Sequence, residues 1–164
     1  MAVTTEAYAA LWRLCFDMDL VGTIESWGRP AEEPLFHMLA HPRALRFRLG
    51  DALWIRLVDV PAALAGRKYS AEGKVTLEVR DSFCSWNEGR FELEGGPQGA
   101  ECRPTRKTAE MIVDAADLAA AYLGGTRFRT LRRASRAVEV VPGALARADA
   151  MFAWDPPPWC SQVF

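Results

Sequence analysis

Apolar and polar positions alternate most cleanly over residues 74–81, where Val75, Leu77 and Val79 face one way and Lys74, Thr76, Glu78 and Arg80 the other. A period of two is the mark of a strand with one buried face. Residues 90–94 repeat the alternation after the turn-forming Asn87-Glu88-Gly89, and residues 100–103 do so again beyond Gly95-Gly96-Pro97. These spacings predict a meander of three antiparallel strands. Leu53, Ile55 and Leu57 alternate with Trp54, Arg56 and Val58, which predicts another strand, and residues 111–113, 20–27 and 43–48 offer three more.

Helical spacing takes over elsewhere. Tyr8, Leu11, Trp12 and Cys15 recur along residues 6–16 on one apolar face, with Thr4 and Thr5 placed to cap it. Residues 34–40 predict a short helical turn that closes before Pro42. Pro61 suits the first turn of a helix over 61–66, and Asp114 can cap one that runs through Tyr122 and stops at Gly124-Gly125. Two further helices are expected over about 128–134 and 142–153, the latter with Pro142 at its start. The fold class that follows is α+β, one mostly antiparallel sheet of about five strands covered by helices. Leu53, Ile55, Leu57, Val75, Leu77, Val79, Phe91 and Leu93 are expected on one sheet face, under the helices at 61–66 and 114–123.

Composition narrows the function classes. A chain of 164 residues that is 50% hydrophobic can bury one sizeable core, and a domain with an appendage is the natural count. A net charge of −1 gives no global pull toward nucleic acid or an anionic membrane. No apolar run approaches the roughly 18 residues of a membrane span, and residues 1–20 carry acids where a signal peptide wants bases, so the expected location is cytoplasmic. Cys15, Cys84, Cys102 and Cys160 show no CxxC spacing and are expected to be reduced thiols. His37 and His41 would share a helix face, but no third ligand accompanies them and no metal site is expected.

Candidate chemistry is sparse. Gly95-Gly96-Pro97-Gln98-Gly99 is glycine-rich, yet it lies between two predicted strands and is expected to be a hairpin loop rather than a phosphate cradle. Neither a GxSxG elbow nor a Cys with a His partner is present. Five arginines fall within residues 127–136, and with Glu139 and Asp149 nearby they are expected to form a solvated, carboxylate-paired helix face. Arg132-Arg133-Ala134-Ser135 has the form of a basic-directed kinase site. Pro156-Pro157-Pro158 is stiff, and Trp159 and Phe164 are large apolar anchors, which predicts a terminal hydrophobic clamp.

Asp51, Leu53, Trp54, Arg56, Leu57, Asp59, Val60, Ala63, Leu64, Arg67 and Tyr69, followed by Tyr122-Leu123-Gly124-Gly125, Pro142-Gly143-Ala144-Leu145, Pro158-Trp159-Cys160 and a final Phe164, resemble the C-terminal domain of the enhanced intracellular survival (Eis) proteins. Those are bacterial GNAT N-acetyltransferases that end in a sterol-carrier-protein-2-like (SCP2-like) domain. The resemblance implies an SCP2-like fold over 44–164, preceded over 1–43 by the tail of a GNAT-like region. That first part would pack against GNAT domains outside this chain and leave Trp12, Trp27 or Phe36 partly exposed. The parent enzyme would use acetyl-CoA and be a homo-oligomer, while this chain lacks the Arg/Gln-x-x-Gly-x-Gly/Ala turn that cradles the cofactor's pyrophosphate and holds no cofactor or metal itself. In Eis-type enzymes the α-carboxylate of the terminal Phe, here Phe164, serves as general base for the acceptor amine, with a GNAT-domain Tyr as the partner acid. Ser135 falls where that family more often has Gly in an Ala-Gly-Arg turn. The alternative implied by free SCP2 proteins is a binding module holding a sterol, a fatty acyl chain or another apolar small molecule between sheet and helices, which needs a continuous apolar cavity.

Overall fold

The computed structural model describes residues 2–51 and 53–161. It divides into two compact units, Leu53–Pro158 and Met1–Ala52 with Trp159–Phe164. The resemblance implies a division after residue 43.

The larger unit is built on β1 (Gly73–Arg80), β2 (Gly89–Gly96) and β3 (Gly99–Pro104), the expected meander. Its register follows from the alternation in the sequence. Val75 lies opposite Leu93 and Leu77 opposite Phe91, so apolar side chains meet on one face. On the other face Lys74 lies opposite Glu94, and Glu78 opposite Arg90, each an ion pair at 2.8 and 2.9 Å respectively. Both kinds of cross-strand pair fix the same register. A fourth strand, β4 (Met111–Asp114), runs parallel to β1, and β5 (Ala137–Glu139) lies antiparallel to it, giving the order β3-β2-β1-β4-β5.

Four helices cover the apolar face: α3 (Val60–Ala65), α4 (Ala115–Tyr122), α5 (Phe128–Arg133) and α6 (Ala144–Phe152). Asp59 and Asp114 cap α3 and α4 with their own carboxylates. The other two helices take caps from carboxylates other than their own N-cap residue. Asp149 of α6 accepts from the Phe128 N–H at 2.6 Å, and Glu139 of β5 accepts from Gly143 and Leu145 at 3.0 and 3.2 Å. Beneath them Val60, Leu64, Leu77, Leu93, Leu118, Leu145 and Met151 form part of one buried core.

Residues 53–58, expected as a strand, pair with none. Two of their carbonyls meet side chains instead: Trp86 Nε1 donates to the Val58 carbonyl at 2.8 Å and Asn87 to the Leu57 carbonyl at 3.1 Å, and Asn87 also accepts from the Val60 N–H, beyond the segment, at 3.0 Å. The alternation holds only where Ile55 and Leu57 turn inward; Trp54 is 84% exposed and Leu53 half exposed. The fifth strand is β5, too short for a period of two to register. Helix α6 begins at Ala144 rather than Pro142, because Gly143 takes a left-handed conformation at φ +88°.

Asn87 belongs to a buried network around Asp81. That carboxylate accepts from the N–H groups of Cys84 and Phe83 at 2.9 and 3.0 Å and from the Asn87 amide at 3.0 Å, and it pairs with Arg56. Burial alone would raise its pKa. The four donors outweigh burial and hold it down to about 2. Since the folded value lies below the ordinary Asp value of about 3.9, the stabilisation is complete above about pH 4 and is lost as pH falls through about 2. Urea unfolding across that window is expected to show parent stability declining with acid and Asp81→Asn declining less steeply. A parent curve parallel to the variant's would contradict it.

In the smaller unit α1 (Thr5–Phe16) is capped by Thr4, and α2 (Leu35–Met38) is the expected short turn. Residues 20–27 and 43–48 form no ladder. Leu20 sits at φ +61°, and a 3₁₀ turn over Pro42–Leu45 ends at Arg46 with φ +46°, conformations that interrupt a strand. No residue of α1 is buried; Trp27 is 86% and Phe36 41% exposed.

Candidate functional site

The C-terminal tail leaves α6 at Phe152, and in the larger unit its departure is fixed by Arg67. The Arg67 guanidinium donates to the carbonyls of Tyr122 and Phe152, the last residues of α4 and α6, the second bond being 3.2 Å long. Two helix C-termini, each with partial negative charge, thus share one cation. The guanidinium lies over the rings of Tyr69, Phe152 and Tyr122 at 4.6, 4.8 and 5.4 Å. Burial pulls its pKa below the ordinary arginine value, and burial pushes the Tyr69 hydroxyl up, where it donates to the Leu64 carbonyl at 2.8 Å. Beyond Phe152 the tail runs along two glycines. A Cβ on Gly124, at φ +91°, would stand 2.5 Å from the Phe152 carbonyl oxygen, and one on Gly125 would stand 3.2 Å from Pro158 Cγ.

The sheet–helix interior that the apolar-ligand reading would need as a cavity is occupied by side chains. Tyr69 and Phe128 each pack edge-on to Phe152, at 5.1 and 5.0 Å. A Cβ added to Gly73 would meet Met151 Sδ at 2.7 Å, and one added to Gly95 would meet the Tyr69 ring at 2.7 Å. These spacings are those of a packed core.

In the smaller unit the tail's last described residue, Ser161, lies against Gly28, where a Cβ would stand 2.7 Å from the Ser161 carbonyl oxygen. The adjoining Arg29 donates from Nε to Glu33 at 2.7 Å and from Nη2 to the Tyr8 hydroxyl at 2.7 Å. Tyr8 donates to Glu33 in turn, and the Leu35 N–H reaches the same carboxylate at 3.2 Å. Burial acts to raise the Glu33 carboxyl, but the Arg29, Tyr8 and Leu35 donors lower it on balance; burial and the Glu33 bond raise Tyr8. Glu33 is thereby a structural anion, and it borders an open groove of about 690 Å³ with Pro34, Phe36, His37 and Phe47 on its walls.

The residues singled out in the sequence are dispersed. Phe164 lies outside the described residues. Gly95-Gly96-Pro97-Gln98-Gly99 forms the β2–β3 hairpin, with Gly96 paired to Gly99. His37 and His41 do not share a helix, since α2 ends at Met38, and among the described residues no group of three His, Cys, Asp or Glu side chains could hold a metal ion. Cys84 is buried, and burial lifts the half-buried Cys102 thiol to about 11. Three of the arginines pair with carboxylates: Arg129 with Asp149 at 2.8 Å, Arg132 with Glu139 at 2.5 Å, and Arg136 with Asp117 at 2.7 Å, the last without hydrogen-bond alignment. Among the described residues no helix is long and apolar enough to cross a membrane.

Ser135 occupies the left-handed position, φ +60°, of a turn closing α5, in which the Ser135 and Arg136 N–H groups donate to the Arg132 and Leu131 carbonyls at 2.9 and 2.8 Å. That is a Schellman turn with serine where glycine is favoured. A non-glycine residue there costs about 1–2 kcal/mol, partly offset by the chain entropy that glycine loses. Ser135→Gly is therefore expected to stabilise the protein by about 0.5–1 kcal/mol in urea titration. Destabilisation would show that the serine side chain holds the turn.

The packed two-layer unit with its returning tail places the chain in a known class. It belongs to the sterol carrier protein domain family, whose model matches residues 60–161, and residues 1–57 match that of an acetyltransferase (GNAT) domain. It is 42% identical over 163 residues to an uncharacterized N-acetyltransferase of Streptomyces avermitilis, covering 99% of this chain and 40% of the relative. To the N-acetyltransferase Eis of Mycobacterium tuberculosis it is 39% identical over 160 residues, covering 95% of this chain and 38% of the relative. The crystal structure of Eis1 from Mycobacterium abscessus matches all of this chain and 41% of its own, at 38% identity and a TM-score of 0.81. A GCN5-related N-acetyltransferase from Anabaena variabilis matches 66% of this chain and 28% of its own, at 29% identity and a TM-score of 0.61. The chain thus spans about two-fifths of the length of the curated relatives it matches.

Proposed function

We propose that this chain is the C-terminal part of an Eis-like, acetyl-CoA-dependent N-acetyltransferase, where it scaffolds the enzyme and delivers the α-carboxylate of Phe164 to the acceptor amine as general base. The observation that supports this reading most is the tail itself: Ser161 lies against Gly28, a residue of the segment that matches the acetyltransferase (GNAT) domain. Phe164 follows three residues later. A carboxylate within hydrogen-bond reach of the amine, or of one bridging water, takes the amine proton as the nitrogen attacks.

Acetyl-CoA is held by parts of the enzyme outside this chain. Its pyrophosphate needs backbone N–H groups at a helix N-terminus, and the glycine-rich stretch here is a hairpin between two strands. The exposed Trp27 and Phe36 of the smaller unit are the apolar surface that the rest of the acetyltransferase would cover. The test is the turnover of the intact enzyme once a residue is added beyond Phe164: a fall supports the general-base reading, and parent turnover refutes it.

A further inference from the structure

We infer that Gly28 is the seat of the C-terminal tail and therefore a positioning residue for the Phe164 carboxylate; the second half of this inference rests on the general-base reading. Two separate features require glycine there. Its backbone is left-handed, φ +62°, a conformation that L side chains rarely adopt. Its α-carbon also faces the main chain of the tail: a Cβ would stand 2.7 Å from the Ser161 carbonyl oxygen, 3.2 Å from the carbonyl carbon and 3.3 Å from Cα. All three are backbone atoms, so no side-chain rotation relieves the collision, and the tail itself must move.

The seat is anchored on its own side. Arg29, next in the chain, is held by Glu33 and Tyr8, with Glu33 buried. Glycine 28 is thus a fixed gap into which the tail's backbone fits. Three residues separate Ser161 from the end of Phe164, and three extended residues reach at most about 10–11 Å. Where Ser161 is seated sets the region the carboxylate can occupy, so a shift of the seat is a shift of the base.

The experiment uses the intact enzyme carrying Gly28→Ala, and separately Gly28→Asn, whose side chain tolerates the left-handed backbone but still meets Ser161. Steady-state kinetics, acetyl-CoA affinity and amide hydrogen exchange of the peptide covering residues 159–164 are measured on each. Both variants are expected to lose about 10²-fold in kcat, the size of effect that a displacement of about 1 Å produces, with acetyl-CoA affinity unchanged. The ascending, low-pH limb of the pH–rate profile, where the carboxylate base gains its charge, is expected to weaken, which a structural defect elsewhere would not cause, and tail exchange to speed. Tail exchange at the parent rate in Gly28→Asn overturns the seat. Faster exchange with parent turnover overturns the positioning role. Whether the general-base reading also falls is read separately, from the turnover of the enzyme extended beyond Phe164.

Discussion

Replacing Arg67 with Met is expected to destabilise the protein by about 2–4 kcal/mol, measured by urea unfolding, although the stem of the side chain is conserved. The loss follows from what the guanidinium satisfies. The carbonyls of Tyr122 and Phe152 end two different helices, and Arg67 donates to both from a position under three aromatic rings. A buried acceptor stripped of its donor costs about 1–3 kcal/mol, and two are stripped at once; the part-buried setting lets water recover some of that. Arg67→Lys is expected to rescue less than half. An ammonium is a compact charge without the planar fork that spans two carbonyls. If Arg67→Lys restores parent stability, the site needs only a cation and the two-pronged geometry is incidental. If Arg67→Met costs under about 0.5 kcal/mol, the helix ends are held by packing alone.

The meander was legible because each strand carries its own proof of register: apolar pairs such as Leu77 and Phe91 on one face, opposite charges such as Lys74 and Glu94 on the other. The cap of α4 was legible for the same local reason, an Asp at the position where its own helix begins, whereas Asp59 at the start of α3 was masked by Pro61, which already explained that helix's first turn. What failed depended on partners distant in the chain. Residues 53–58 carry a strand's alternation, yet no strand pairs with them, and the Asn87 and Trp86 side chains take the Leu57 and Val58 carbonyls. Short β5 exists because β4 offers it an edge, not because Ala137-Val138-Glu139 has a pattern. The arginine-rich stretch was legible as a paired face, since acids were in view, but that Asp149 would also cap α5 was not.

The proposal for Phe164 rests on resemblance alone, through its position at the end of a Pro-Trp-Cys…Phe pattern. Gly28 follows residues 20–27, expected as a strand, and in Trp27-Gly28-Arg29-Pro30 the sequence alone marks only a break in the chain; no strand precedes it. Its left-handed backbone and the tail lying on its α-carbon are both products of tertiary contact. Ser135 worked the other way. A serine standing where the resemblance implies glycine pointed to a turn whose φ of +60° sequence alone could not display.

The central claim, that the terminal carboxylate is the general base of an N-acetyltransferase, is tested most directly by adding a single glycine after Phe164 in the intact enzyme. The added residue carries the negative charge one peptide unit, about 3.5 Å, away from its place and leaves a neutral amide there. Fold and acetyl-CoA affinity are expected to stay at parent values, because the Arg67 cage and the Gly28 contact involve residues upstream of the change. Loss of a general base typically costs about 10²–10⁴ in rate, so kcat is expected to fall by that factor. Phe164→Ala keeps the carboxylate and loses only the ring, and its loss is expected to be milder. Single-turnover rates on parent, extended and Phe164→Ala enzymes give the answer: a steep loss in the extended enzyme alone fits the account, whereas extended enzyme turning over at the parent rate would leave the tail a hydrophobic clamp with no part in catalysis.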